Sequence, residues 1–255
     1  MNEPLAKKIV RDAYGNPKVI ACYQGNLALW RSEEVLVRRF FPREGKLLDL
    51  GCGAGRTSIP LTILGFEVVG IDISSSMLKA AILEAERLNL KIDFQEMDAK
   101  SLDFADRSFD CALYSFNGLD HIPGYNGKLE VLREVFRVLK PGAPFIFSSH
   151  RIWSPFHLRK LVLSGLKMSI GRLLGLNTLE REWGEVYDLD TDDPEERYSS
   201  FLAVGRWKKA IHAAGFEIIF HQSRYRLESE RLCDWLKKSL SSGNYMFFVV
   251  RKPFR

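Results

Sequence analysis

The chain has 255 residues, 46% of them hydrophobic, enough for one sizeable core, which favours a single α/β domain carrying an insertion over two full domains. A formal net charge of +5 and a pI near 9.0 admit an anionic partner without demanding one. No stretch reaches the roughly 18 apolar residues of a spanning helix, MNEPLAKKIV lacks the apolar run of a secretory leader, and Cys22, Cys52, Cys111 and Cys233 show no CxxC spacing; a cytoplasmic protein with reduced core thiols and no metal is expected.

Residues 1–45 include the helical-looking GNLALWRSEEVLVRRFF and are expected to form a helical cap over one edge of the ligand site. KLLDL is a short apolar run that stops at Gly51, the pattern of a buried parallel strand feeding a tight turn. RTSIPLTILG reads as a helix, with Pro60 in its early turns and Gly65 at its C-terminal cap. FEVVGID is a second buried strand ending at Asp72, and SSSMLKAAILEAERLNL a second helix capped by Ser74 or Ser75. KIDFQEMDA and SFDCALYSFN are the third and fourth strands, KLEVLREVFRVLKPG is a helix closed by Pro141-Gly142, and APFIFSSH is the fifth strand. After an insertion over 151–204 the alternation resumes with a helix, RWKKAIHAAGF, and two strands, EIIFHQSRYR and NYMFFVVRKPF. Strands alternating with helices predict a doubly wound, mostly parallel sheet, here seven-stranded. The last two strands lack a full crossover helix and predict an antiparallel hairpin at the C-terminal edge, with room for a short helix around Leu232–Leu240.

In such sheets ligands bind beyond the carboxyl ends of the strands, and the first strand-to-helix turn is the cradle. Here that turn is Asp49-Leu50-Gly51-Cys52-Gly53-Ala54-Gly55, whose glycines allow a tight backbone and a close approach. Asp72 ends the next strand 21 positions after Gly51, where a carboxylate accepts from ribose hydroxyls. A dinucleotide makes the same demand, but the third glycine of G-x-G-x-x-G would fall on Arg56 and stands instead at Gly55, which disfavours NAD.

The stretch LLDLGCGAGRTSIPL, followed by VVGIDISSSML, resembles the first two motifs of class I S-adenosylmethionine-dependent methyltransferases. The resemblance continues through QEMDA, FDCALYSFNGLDHI and LREVFRVLKPGAPFIF, covers about 46–148, and returns in AAGFEIIF and MFFVV; it is nearest to methyltransferase types 11 and 25. It implies a Rossmann-like fold, with 46–150 and 205–255 as its two parts, and S-adenosylmethionine as cofactor. It also implies that Gly51, Gly53 and Gly55 line the methionine and ribose portion, with Asp49 ordering the loop, and that Asp72 holds the ribose hydroxyls. Ile73 and Met77 would pack on adenine, Asp98 would accept from its amino group with Ala99 beside it, and Ser115, Phe116 and Asn117 would run beneath the sulfonium.

A base is needed only for some acceptors. His121, in NGLDHIPG at the active-site end of the fourth strand, is the leading candidate, ahead of Asp120, Tyr125 and His150. The sequence Ser115-Phe116-Asn117-Gly118 replaces the Asn-Pro-Pro-Tyr of amino-methylating relatives and lowers the nucleobase reading. The insertion 151–204 sits where such enzymes place substrate lids: its first part, through FHLRKLVLSGLKMSIGRLLGL at 156–176, is basic without acids, and the rest is acid-rich. That first part suits a lid over an apolar substrate, an interfacial membrane helix or a packed cap, with Trp153, Phe156, Trp183 and Tyr187 available to line a pocket. The expected partner is a small-molecule methyl acceptor, with nucleic acid disfavoured. The competing readings are a cofactor-binding adaptor without turnover on RNA or a membrane, and an NAD-dependent oxidoreductase.

Overall fold

A computed structural model describes residues 5–150, 155–189, 197–228 and 245–254. Seven strands form one sheet: β1 (Gly45–Leu50), β2 (Phe66–Asp72), β3 (Asp93–Glu96), β4 (Cys111–Tyr114), β5 (Pro144–His150), β8 (Glu217–Ser223) and β9 (Tyr245–Arg251). Their order is β3-β2-β1-β4-β5-β9-β8, parallel except for β9, which runs antiparallel to both its neighbours. The edge hairpin is therefore present, with the last strand on its inner side and β8 outermost.

Period-two alternation divides the strands between two cores, which is why each reads as an unbroken apolar run. Leu48, Leu50, Val69, Ile71 and Phe147 face the side where Trp207 is fully buried; Leu47, Val68, Leu113, Ile146 and Val249 face Leu36 and Val37. The covering helices are α3 (Arg31–Phe40), α4 (Ser58–Ile63), α5 (Ser75–Arg87), α6 (Gly124–Val138) and α8 (Val204–Ala213). Ser74 is the cap of α5, its Oγ accepting from the Met77 N–H at 3.3 Å.

Two boundaries differ from expectation. α6 begins at Gly124, four residues ahead of the apolar stretch, because Glu182 of the insertion accepts from the Tyr125 N–H at 2.9 Å and completes the helix start from outside. β8 stops at Ser223, and the continuation is a short helix, α9 (Arg224–Glu228), closed by an Arg224–Glu228 pair at 3.0 Å. The helix expected around Leu232–Leu240 lies outside the described residues.

The N-terminal segment forms α1 (Leu5–Tyr14) and α2 (Pro17–Tyr23), the latter capped by Asn16, and both pack over the carboxyl ends of β1 and β2. The insertion forms α7 (Pro155–Leu173) and a small antiparallel ribbon of β6 (Glu185–Tyr187) and β7 (Tyr198–Ser200). Cys52 and Cys111 are buried thiols, whereas Cys22 is exposed and so is not a core residue; Cys233 lies outside the described residues.

Candidate cofactor and acceptor site

A cavity of about 180 Å³ opens at the carboxyl ends of β1, β2 and β4 and is roofed by Lys7, Val10, Tyr14 and Tyr23 of the N-terminal helices. The turn after β1 brings Gly51 and Gly53 to its wall with φ of +59° and +54°, values that side chains disfavour. A Cβ at Gly51 would stand 2.7 Å from the Tyr114 ring, whereas at Gly53 it would meet nothing within 4 Å, so Gly53 presents bare backbone to open space. Gly55 lies outside the lining: its missing Cβ makes room for Ile59 and Ala81, which lets α4 pack on α5.

Asp49 sits behind the loop, fully buried, its Oδ2 accepting from the Thr57 and Ser58 hydroxyls at 2.6 Å each. Burial pushes its carboxyl up to about 6 in spite of those hydroxyls and the nearby Arg56. Asp72 lines the cavity and joins two turns, accepting from the Gly53 N–H at 3.0 Å and the Ser74 N–H at 2.8 Å; burial raises its pKa against those bonds. Ile73 and Met77 follow it along the wall. Asp98 and Ala99 form the next part, but Asp98 is already engaged: Lys7 donates to Oδ2 at 2.6 Å and the Lys100 N–H to Oδ1 at 2.9 Å. Burial raises its pKa, and the Lys7 and Lys100 bonds outweigh that and lower it. Lys7 escapes sequence reading because nothing in α1 marks one lysine from another.

Ser115 and Phe116 complete the wall from β4, while Asn117 lies outside it, buried in the left-handed region with its N–H donating to Ser148 Oγ at 2.9 Å. Behind Ser115 is a buried ion pair that sequence reading missed. Arg56 donates to both oxygens of Glu33 at 2.8 Å, to the Ala28 carbonyl at 3.0 Å and to Ser115 Oγ at 2.9 Å, and the Ser115 hydroxyl donates in turn to Glu33. Burial lowers the Arg56 pKa, but the Glu33 carboxylate more than restores it and the net shift is upward. Its guanidinium lies 5.0 Å from the Trp30 ring and 5.7 Å from that of Phe116. The position where a dinucleotide fold has its third glycine is thus filled by a structural cation.

His121 lines the cavity too. Its Nδ1 stands 3.2 Å from the Tyr198 carbonyl, which only accepts, so Nδ1 carries the hydrogen and Nε2 accepts from the Tyr14 hydroxyl at 3.1 Å. Burial, then the nearby His150, pushes its pKa down to about 4, so the imidazole is neutral near pH 7 and only weakly basic. Asp120 is fully buried and spent on neighbours, accepting from Ser149 Oγ at 2.8 Å, the His150 N–H at 2.6 Å and His150 Nδ1 at 2.9 Å. Trp207 Nε1 donates to Ser149 at 2.9 Å and anchors that set to α8. Tyr125 is used through its backbone at the start of α6.

Beyond Phe116 runs an aromatic wall. Phe116 meets Tyr23 at 5.7 Å and Trp30 at 4.9 Å, Trp30 stacks on Tyr245 at 5.5 Å, and Tyr245 meets His150 edge-on at 5.1 Å, with Phe201 5.5 Å further along. Arg224 covers the outer face of Trp30 at 3.9 Å. Of the insertion's aromatics, Trp183 is half exposed against Gly165 and Tyr187 packs on Tyr198, neither on the cavity; Trp153 and the Phe156 side chain lie outside the described residues. Among the described residues no cluster of His, Cys, Asp and Glu suits a metal ion, and no helix is long and apolar enough to cross a membrane.

Residues 47–142 match a family described as "Methyltransferase domain". A putative methyltransferase, YqeM, of Bacillus subtilis is 37% identical over 109 residues, 43% of this chain and 44% of its own length. A ubiquinone biosynthesis O-methyltransferase of Ruegeria pomeroyi is 38% identical over 104 residues, 41% of this chain and 40% of its own. The chain thus spans less than half the length of these curated relatives. A SAM-dependent methyltransferase of Methanosarcina mazei superposes over 86% of this chain and 98% of its own with a TM-score of 0.68 at 23% identity, which extends the shared fold beyond the matched segment. Residues 47–142 are thus similar to methyltransferase domains, and the chain shares the Rossmann-like fold of a solved S-adenosylmethionine-dependent methyltransferase.

Proposed function

We propose that the protein transfers a methyl group from S-adenosylmethionine to a small, largely apolar acceptor held against the aromatic wall. The carrying observation is convergence: Gly51, Gly53, Asp72, Ile73, Met77, Asp98, Ala99, Ser115 and Phe116 come from separate turns and line one cavity. They fit the cofactor on the chain's own terms, with open space before Gly53, a carboxylate at Asp72 for vicinal hydroxyls and an apolar pair, Ile73 and Met77, for a flat base. The bound cofactor supplies an already activated methyl group, so alignment and water exclusion are the protein's share. α1 and α2 roof the cavity and exclude water, and the insertion 151–204 recognises the acceptor beside Phe116, His150 and Phe201.

His121 works through Tyr14. A neutral imidazole of such low basicity, its lone pair taken by a phenol, fixes the Tyr14 hydroxyl at the cavity wall instead of removing a substrate proton. This arrangement favours an acceptor acidic enough to ionise without a strong base, such as a phenol or enol. O-methylation of that kind agrees with the name of the ubiquinone-pathway relative.

Calorimetric titration with S-adenosylmethionine, S-adenosylhomocysteine and NAD tests the reading. The first two should bind and NAD should not, because Arg56, buried against Glu33, stands where a dinucleotide turn has the third glycine that packs its helix on the strand. Asp72→Asn should weaken cofactor binding about 10- to 100-fold, the loss of bonds to a charged group, and Gly53→Val should abolish it, both with cooperative melting retained. Unchanged affinity in both variants would remove the site assignment, and binding of NAD alone would make the chain a dinucleotide enzyme. Tight cofactor binding without turnover on a phenol and enol panel would favour the adaptor reading.

A further inference from the structure

The insertion helix α7 is apolar on both sides. Its inner face, Leu161, Ser164, Met168 and Gly171, is buried, with Leu161 packed on Val186 and Phe201. On the opposite side Val162, Leu166 and Ile170 repeat every fourth residue at 48%, 53% and 53% exposure, and Leu173 is 85% exposed, with Leu163 and Leu174 beside them. Nothing in the described residues covers this stripe, and a surface helix that served only as a cap would carry polar residues there. The same helix holds Arg159, Lys160, Lys167 and Arg172 and no acid.

The charges of the insertion are sorted in space. Its described acids turn inward or are already taken: Glu180 and Glu185 are buried, Glu182 caps α6, and Asp188 pairs with Lys160 at 3.3 Å. Arg159 and Lys167 are exposed beside the apolar stripe, and Arg172, also exposed, donates to the Arg181 carbonyl at 2.9 Å. We propose that this outward face of α7 lies in the interface of an anionic lipid bilayer, its leucines, valine and isoleucine in the acyl boundary and its basic residues at the headgroups. A second copy of the chain fits less well, because an antiparallel two-fold pair centred at Gly165–Leu166 would set Arg159 of one copy against Arg172 of the other. The face is also one helix away from the acceptor end, since Leu161 touches the cluster of Phe201, whose ring meets His150 at 5.5 Å. An apolar acceptor dissolved in the bilayer would then enter beneath α7 without crossing water. Lipid binding does not depend on the catalytic reading, because it is measured without cofactor or acceptor.

The test is co-sedimentation of the full chain with phosphatidylcholine vesicles, with and without phosphatidylglycerol, at low and high salt. The protein should bind the phosphatidylglycerol vesicles and lose binding as salt rises. Leu166→Gln with Ile170→Gln should weaken it about tenfold or more, and Lys167→Glu about fivefold or more. Melting temperature and cofactor affinity should be unchanged in both variants, which separates this outcome from any failure of the methyltransferase reading. Absence of binding to anionic vesicles, or equal binding by the variants, overturns the proposal. So does a concentration-dependent dimer, seen by sedimentation velocity, that the same substitutions abolish.

Discussion

The two ends of the cavity are built by different means. The cofactor end comes from the turns after three consecutive strands, β1, β2 and β3, and is fixed largely by backbone: Gly53 and Ser74 donate to Asp72, and Lys100 to Asp98. The proposed acceptor end is the aromatic wall that meets the cavity at Tyr23 and Phe116 and continues through Trp30, Tyr245, His150 and Phe201 with Arg224 over Trp30, side chains drawn from distant parts of the chain. Its reach is measured by Ser32, whose hydroxyl donates to Glu228 at 2.8 Å across 196 residues. A site fixed by local turns can be specified by short motifs, while one fixed by remote side chains depends on the whole fold being in place.

Arg56 and Glu33 join the two ends, and breaking that joint should have the largest effect. Arg56→Met leaves a fully buried carboxylate without its cation and should cost about 3–5 kcal/mol, read as a fall in denaturant midpoint. Replacing both, Arg56→Met with Glu33→Leu, should recover most of the loss, because a buried pair gains little over apolar residues of similar volume. A cost below about 1 kcal/mol for the single variant would mean that water reaches Glu33 and that the ends are independent.

The same contrast explains what the sequence makes legible. Asp49, Gly51, Gly53 and Asp72 stand at fixed spacings because a parallel strand must turn tightly into its helix, and spacing survives in one dimension. The alternation of strands and helices and the C-terminal hairpin follow equally from apolar runs and breaks, whereas the order of the strands in the sheet does not. Arg56 is different: beside the glycines it reads only as a residue that spoils a dinucleotide pattern, and its partner Glu33 reads as a surface acid of RSEEVLVRRF. The role of Lys7 on Asp98, the Trp30–Tyr245 stack and the shielding of His121 by Tyr14 and Tyr198 depend on tertiary contacts without local signal. Gly55 teaches a narrower point, since a glycine inside a ligand motif can serve helix packing instead of the ligand.

A second prediction concerns pH and isolates the acceptor end. His121 has its pKa lowered from 6.5 to about 4, so its stabilising contribution is present above 6.5 and is lost as pH falls through about 4. Asp49 is raised from 3.8 to about 6, so its contribution is present below 3.8 and is lost as pH rises through about 6. The two oppose each other in the same window. Asp120, His150, Lys128 and the Tyr14 hydroxyl surround His121, and its full shift corresponds to about 3 kcal/mol, which solvent in the cavity reduces to roughly 1–2 kcal/mol. His121→Gln should therefore be less damaging at pH 5 than at pH 7, the stability gap to wild type narrowing by about 1 kcal/mol in denaturant melts. A gap independent of pH would show that His121 is solvated and the acceptor end open.

The smallest expected effect sharpens the comparison most. Glu182 belongs to the insertion, yet its Oε2 receives the Tyr125 N–H at 2.9 Å in the first turn of α6, the helix that follows the His121 segment. Glu182→Ala removes a cap and should cost about 1 kcal/mol, with no group at the cofactor end touched. Since Asp72 and Gly53 are held by their own turns, and Asp98 by Lys100 and by Lys7 of α1, all outside the insertion, S-adenosylmethionine affinity should stay within about twofold of wild type, while the KM for any acceptor identified should rise as the insertion loses its hold on α6. A parallel fall in cofactor affinity would show instead that the insertion and the glycine turns move as one unit, and that the division between a locally built end and a remotely built end is one of sequence origin alone.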